Sequence, residues 1–158
     1  MPKIKFLPLL FFLLLPQLIG LAGAYFTFPA VQTWYQTLTK PWFTPPGWLF
    51  GPAWTLLYFL MGLAAYLVWQ KAPAGQRRSL FFPYGLQLVF NFAWSWLFFG
   101  QRLLGLAYAE ILVLWFLIFL TWRFFRRVSS LAGRLLVPYL AWVAFASFLN
   151  LAVWQLNR

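Results

Sequence analysis

Cysteine and histidine are both missing from this chain, and Glu110 is its single acidic residue. Without thiolates or imidazoles there are no disulfides, no thiol nucleophiles, no histidine general bases, no zinc sites of the usual kinds and none of the commonest haem axial ligands. One carboxylate also excludes a paired-carboxylate mechanism within the chain. Charge of either sign is scarce, at 8% of residues, against about a quarter in ordinary soluble domains.

What is present is apolar. Of 158 residues, 64% are hydrophobic and 24% are aromatic. A membrane span takes about 20 apolar residues, so the length accommodates five spans and no separate soluble domain. The expectation is an all-α integral membrane protein with one domain over residues 1–158. It is a five-transmembrane-helix bundle with helices near 6–26, 47–69, 79–99, 103–124 and 133–156, and a structured loop between helices one and two. The 12 Lys and Arg residues lie at the ends of apolar runs and form no continuous stripe, so they read as membrane anchors and not as a nucleic-acid surface.

The chain is organised around residues 33–58, where prolines and aromatics crowd between two apolar segments. Pro41, Pro45 and Pro46 fix φ and remove amide donors, so Lys40 to Pro46 is not regular helix, while a helix can start at Gly47. Trp34, Tyr35, Trp42, Phe43 and Trp48 make this stretch a stiff aromatic lid. Beyond it, Phe50, Trp54 and Tyr58 recur at i, i+4 and i+8 and share one helix face. That face is either helix packing or one wall of an aromatic pocket.

The first apolar run has two readings. Lys3 and Lys5 before a leucine-rich core, with Ala22-Gly23-Ala24 after it, fit a cleavable signal peptide, whose removal would make the lid the mature N-terminus. The run is also long enough to span, and Gly20 with Ala24 offers a small face for close helix contact, which favours a retained first helix. In helix three, Gln87, Asn91 and Ser95 are spaced four apart and should face the bundle interior, either as helix-to-helix hydrogen bonds or as polar handles in a pocket. Glu110 lies about two turns inside helix four, as a functional group, or as one that is simply neutral or hydrogen-bonded to a neighbour. Five spans would put Lys3, Lys5, Lys71, Arg77, Arg78, Arg123, Arg126, Arg127 and Arg134 on one side and Lys40, Arg102 and Arg158 on the other. The imbalance predicts a cytoplasmic N-terminus and a loop 27–46 on the opposite side.

Trp34-Tyr35, Lys40-Pro41-Trp42, Pro45-Pro46, Gly51-Pro52-Ala53-Trp54 and Leu57-Tyr58 together resemble the translocator protein family, whose bacterial members are the tryptophan-rich sensory proteins. Further matches are Gln87-Leu88, Asn91, Trp94 and Phe98-Phe99-Gly100, then Pro138 through Trp142, Phe145-Ala146 and Leu149-Asn150. The resemblance covers nearly the whole chain. It implies a five-helix bundle, often dimeric, whose first loop caps a pocket opening within the membrane. Binding of porphyrins, sterols or related hydrophobes is implied as well. By the same resemblance Tyr35 and Pro45 would belong to the lid, and Phe50, Trp54 and Tyr58 to the helix-two wall. Asn91, Trp94 and Ser95 would face them from helix three, and Trp142, Ala146 and Leu149 from helix five. Two positions depart from the pattern: Leu151 and Gln155 replace the aromatic and cation of a sterol-recognition segment, which weakens a sterol role. Ser95-Trp96 replaces a proline pair found in many animal members, so helix three should run straighter.

The expected function is a membrane receptor or sensor that binds a tetrapyrrole such as protoporphyrin IX or haem, with no required cofactor. The macrocycle would stack between Trp54 and Trp142, with Asn91 as a polar contact, and without axial ligation of iron. Two other readings stay open. One is light-dependent porphyrin breakdown using Trp54 and Trp142. The other is porphyrin or sterol transport, against which stand the small size and the lack of an internal repeat or ion-coupling site. The expected setting is a homodimer in a lipid membrane, most simply a bacterial cell membrane, with no nucleic-acid partner.

Overall fold

The computed structural model describes residues 3–158, and among them the regular structure is entirely helical. Five long helices carry the chain: α1 (Phe6–Gln32), α3 (Gly47–Lys71), α4 (Arg77–Ser95), α5 (Leu104–Val128) and α6 (Ser130–Leu156). Between α1 and α3 lies a single short helix, α2 (Trp34–Thr37). A 3₁₀ turn at Ala74–Gln76 precedes α4, and a π-helical segment, Trp96–Gly100, continues it.

Helices α1, α3, α5 and α6 are each long and apolar enough to cross a bilayer, which makes this an integral membrane protein. Helix α4 is less apolar because it carries Arg77, Arg78, Gln87 and Asn91. Its polar side chains turn inward, and Gln87 and Asn91 are almost fully buried. Lipid cannot satisfy amides, so they bond to neighbouring helices.

Most helices are longer than the sequence pattern indicates. Helix α1 continues to Gln32 instead of ending near residue 26, because nothing in Thr27-Phe28 breaks it and Pro29 removes only one backbone donor. The Thr27 hydroxyl bonds back to the Gly23 carbonyl at 3.1 Å and the Thr33 hydroxyl to the Pro29 carbonyl at 2.8 Å. The lid is correspondingly shorter, residues 33–46 and not 27–46. Helix α4 begins at Arg77 and α5 runs to Val128, so the α5–α6 turn shrinks to Ser129, whose hydroxyl caps α6 by accepting from the Ala132 amide at 3.4 Å. Helix α4 is continued by a wider turn. The Gln101 amide donates to the Trp96 carbonyl at 2.8 Å and the Leu103 amide to the Leu97 carbonyl at 3.0 Å, widening the last turn.

Helices α1 and α3 approach closely at Gly62. Pro16 has no amide to give to the Phe12 carbonyl, and Gly62 lies against that same carbonyl, where any Cβ would overlap it. Away from the lid the bundle is solid. Met61, Ala64, Ala65 and Val68 of α3 have no exposed surface, and Ile118, Phe125, Leu136 and Val143 pack beside them.

Candidate functional site: an aromatic cavity beneath the lid

Toward the lid the same helices diverge around a cavity of about 610 Å³. Helix α1 supplies one wall, from Gln17, Gly20 and Ala24 to Val31. The first three turns of α3 supply another, with Phe50, Trp54 and Tyr58, the residues spaced four apart in the sequence. Trp94 and Ser95 close it from α4, Phe98 and Phe99 from the π segment, and Trp142, Ala146 and Leu149 from α6. Tyr35 reaches in from α2. A regular α-helical turn would separate Phe98 and Phe99 by about 100° around the axis, and the wider π turn is where both reach the cavity. Exposed Leu21, Phe28 and Trp48 flank an opening between α1 and α3.

The lid is held by specific contacts. The Lys40 ammonium donates to the carbonyls of Tyr35, at 2.7 Å, and Leu38, at 3.2 Å, and lies 4.8 Å from the centre of the Tyr35 ring. From the end of α6, the Asn157 side chain accepts from the Thr39 amide at 2.9 Å and donates to the Thr39 carbonyl at 2.8 Å. Phe43 meets Phe145 edge to face, with centroids 6.3 Å apart. Trp42, by contrast, is 96% exposed.

Nine of the eleven residues named from the sequence line this cavity: Tyr35, Phe50, Trp54, Tyr58, Trp94, Ser95, Trp142, Ala146 and Leu149. Pro45 is half-buried in the lid but is not part of the lining. Asn91 lies behind the wall and is fully engaged there. Its amide oxygen accepts from the Tyr58 hydroxyl at 2.7 Å, and its amide nitrogen donates to Tyr139 at 2.9 Å. The Tyr139 hydroxyl donates to the Gln87 amide oxygen at 2.8 Å, and the Gln87 amide nitrogen in turn donates to the Met61 sulfur at 3.2 Å. Gln87 and Asn91 therefore tie α3, α4 and α6 together, while Ser95, one turn on, faces the cavity beside Gly23.

The two indoles do not form a slot. Trp54 and Trp142 touch edge to face, with centroids 6.5 Å apart and planes at 87°, so a macrocycle cannot slide between them and can only lie against the pair. Trp54 also stacks on Tyr58 at 5.5 Å and meets Tyr139 at 6.2 Å, which makes one continuous aromatic cluster.

Sequence reasoning missed the α1 wall. Gly20 and Ala24 were legible as a small-residue face, and its meaning is twofold: Gly20 makes room for the Tyr58 ring, which any Cβ there would overlap, and both residues line the cavity. Glu110 lies outside the lining, on the buried face of α5 with Ala107 and Ile111, and neither of its oxygens has a hydrogen-bond partner among the described residues. Nor does Gly105 provide a free contact face, since the Trp154 ring of the same chain covers it.

The sequence is similar to known proteins over most of its length. Residues 12–155 match the model of the TspO/MBR family. The chain is 48% identical to the tryptophan-rich protein TspO of Archaeoglobus fulgidus over 143 residues, covering 88% of this chain and 90% of that protein. It is 46% identical to the tryptophan-rich sensory protein of Cereibacter sphaeroides over 125 residues, covering 78% and 77%. Against the translocator protein of Homo sapiens the identity is 40% over 154 residues, covering 96% and 90%. This chain therefore belongs to the TspO/MBR family of membrane proteins.

Proposed function

We propose that the protein is a five-span membrane receptor that binds planar tetrapyrroles, or hydrophobes of similar shape, in the cavity beneath the lid. The observation that carries this reading is the cavity itself. At about 610 Å³ it falls within the range of small-molecule sites, is mainly apolar, and has a few polar groups placed in it. Its walls come from four helices and the lid, so a bound ring would be in reach of each of them. Of the α4 stripe, Ser95 takes the role of polar contact, because Asn91 is spent on Tyr58 and Tyr139.

The chain offers no histidine or cysteine to iron, so binding would rest on the ring face and its edge groups. Metal-free porphyrin is then expected to bind at least as well as haem, and more tightly than a sterol. The test is a titration of purified protein followed by tryptophan quenching. Trp54→Ala with Trp142→Ala should weaken metal-free porphyrin by about tenfold or more, since each ring is a large contact. Unaltered affinity in the double variant would overturn the assignment.

A second reading, light-driven breakdown of the bound ring, is supported by one feature. Trp54 is in contact with Tyr58 and Trp142 in the cavity wall and with Tyr139 behind it, a cluster of oxidisable rings. Illumination of the complex separates the two readings: loss of porphyrin absorbance that Trp54→Phe abolishes supports turnover, and a stable spectrum supports binding alone. The cytoplasmic N-terminus, with the lid on the opposite face, and a homodimeric state belong to the same proposal. Protease accessibility in oriented vesicles and mass measurement in lipid nanodiscs test them.

A further inference from the structure

A second, shallower hollow of about 370 Å³ lies at the lid end of α5 and α6, outside the cavity already described. Arg102 and Arg158 line it, with Leu103, Gly105, Leu106 and Trp154. A Cβ at Gly105 would stand 2.8 Å from the Trp154 ring, so the indole lies directly over α5.

Three cations belong to this end of the bundle: Lys40, Arg102 and Arg158. Lys40 is satisfied by the Tyr35 and Leu38 carbonyls. The other two meet at this hollow, and neither has a hydrogen bond or an ion pair among the described residues. Each guanidinium lies over an indole instead, Arg158 at 4.6 Å from the Trp154 ring and Arg102 at 5.5 Å from the Trp34 ring. Such stacking holds the plane of a guanidinium but leaves its N–H fork free in that plane, the geometry suited to phosphate. No acidic side chain competes, since the single one of the chain, that of Glu110, is buried on α5.

Below the arginines the hollow continues onto apolar surface. Leu103, just before α5, and Leu106, in its first turn, are 47% and 55% exposed. A charged pair at the interface above exposed leucines matches an amphiphile whose headgroup is anionic and whose tail is hydrocarbon. We propose that this hollow binds one anionic glycerophospholipid of the surrounding leaflet, its phosphate between Arg102 and Arg158 and an acyl chain along Leu103 and Leu106. The site shares no lining residue with the cavity under the lid.

Native mass spectrometry of the detergent-solubilised protein tests this with phosphatidylglycerol and phosphatidylcholine of matched chains. One phosphatidylglycerol should be retained at concentrations where phosphatidylcholine is not, and neither inorganic phosphate nor glycerol phosphate should displace it. Arg102→Gln with Arg158→Gln should weaken that lipid by about tenfold or more. Arg102→Lys with Arg158→Lys should recover part of the loss, and Arg126→Gln with Arg127→Gln, at the other end of the bundle, should leave it unchanged. Melting temperature in detergent checks that each variant is folded, and the single variants serve if the double one is not. Equal retention by the double glutamine variant, equal retention of phosphatidylcholine, or displacement by inorganic phosphate would each overturn the proposal.

Discussion

Helix α3 passes through two regions built on different principles. Its lid-distal half, Met61 to Val68, is packed to the point that Met61, Ala64, Ala65 and Val68 expose nothing. Its lid-proximal half, from Gly47 to Tyr58, borders a hollow of about 610 Å³ and leaves Trp54 only half-buried. Helix α6 repeats the contrast, with Tyr139 and Val143 fully buried while Trp142 and Ala146 line empty space. The boundary is polar: the Tyr58, Asn91, Tyr139 and Gln87 chain forms a floor beneath the hollow. The comparison teaches that one half holds the bundle together so that the other can stay open, and that large rings keep it open because they are too stiff to collapse inward.

The comparison can be broken most forcefully in the solid half. Gly62→Leu would drive a side chain into the Phe12 carbonyl, backbone that cannot move aside. A loss of about 3 kcal/mol, or failure to fold, is expected. Thermal denaturation in detergent measures it.

At the boundary the effect should be smaller. Asn91→Leu removes the partner of both Tyr58 and Tyr139, and a loss of roughly 1 to 2 kcal/mol is expected in the same assay. Because Tyr58 is also a wall residue, porphyrin affinity should fall with it, whereas a direct contact role for Asn91 would reduce affinity with no loss of stability.

In the hollow half, stability and binding should separate. Asn157→Ala releases Thr39 from the end of α6. It should change stability by less than about 1 kcal/mol while speeding porphyrin release several-fold, read by stopped-flow fluorescence. Equal release rates would mean that the latch does not govern the lid.

How far the sequence discloses this arrangement depends on the type of signal. Membrane character, the helices and the single-face spacing of Phe50, Trp54 and Tyr58 were legible, because hydropathy and 3.6-residue periodicity are local properties. Helix ends were less so: Thr27 and Pro29 look like lid residues in sequence, but hydroxyl back-bonding and an otherwise intact apolar helix carry α1 to Gln32. The roles of Asn91 and Ser95 could not be separated by spacing, since residues one turn apart share a face, and only the positions of Tyr58 and Tyr139 decide which of the two side chains is spent. The edge-to-face meeting of Trp54 and Trp142 is likewise a long-range fact, set by the distance between α3 and α6.

The central claim is that the hollow half, left open by the packing, is where a planar macrocycle binds. Ala146→Trp places an indole inside it from the α6 wall. Titration of this variant with metal-free porphyrin is the most direct test. The account predicts affinity at least about tenfold weaker at an unchanged melting temperature, and affinity equal to that of the unsubstituted protein would contradict it.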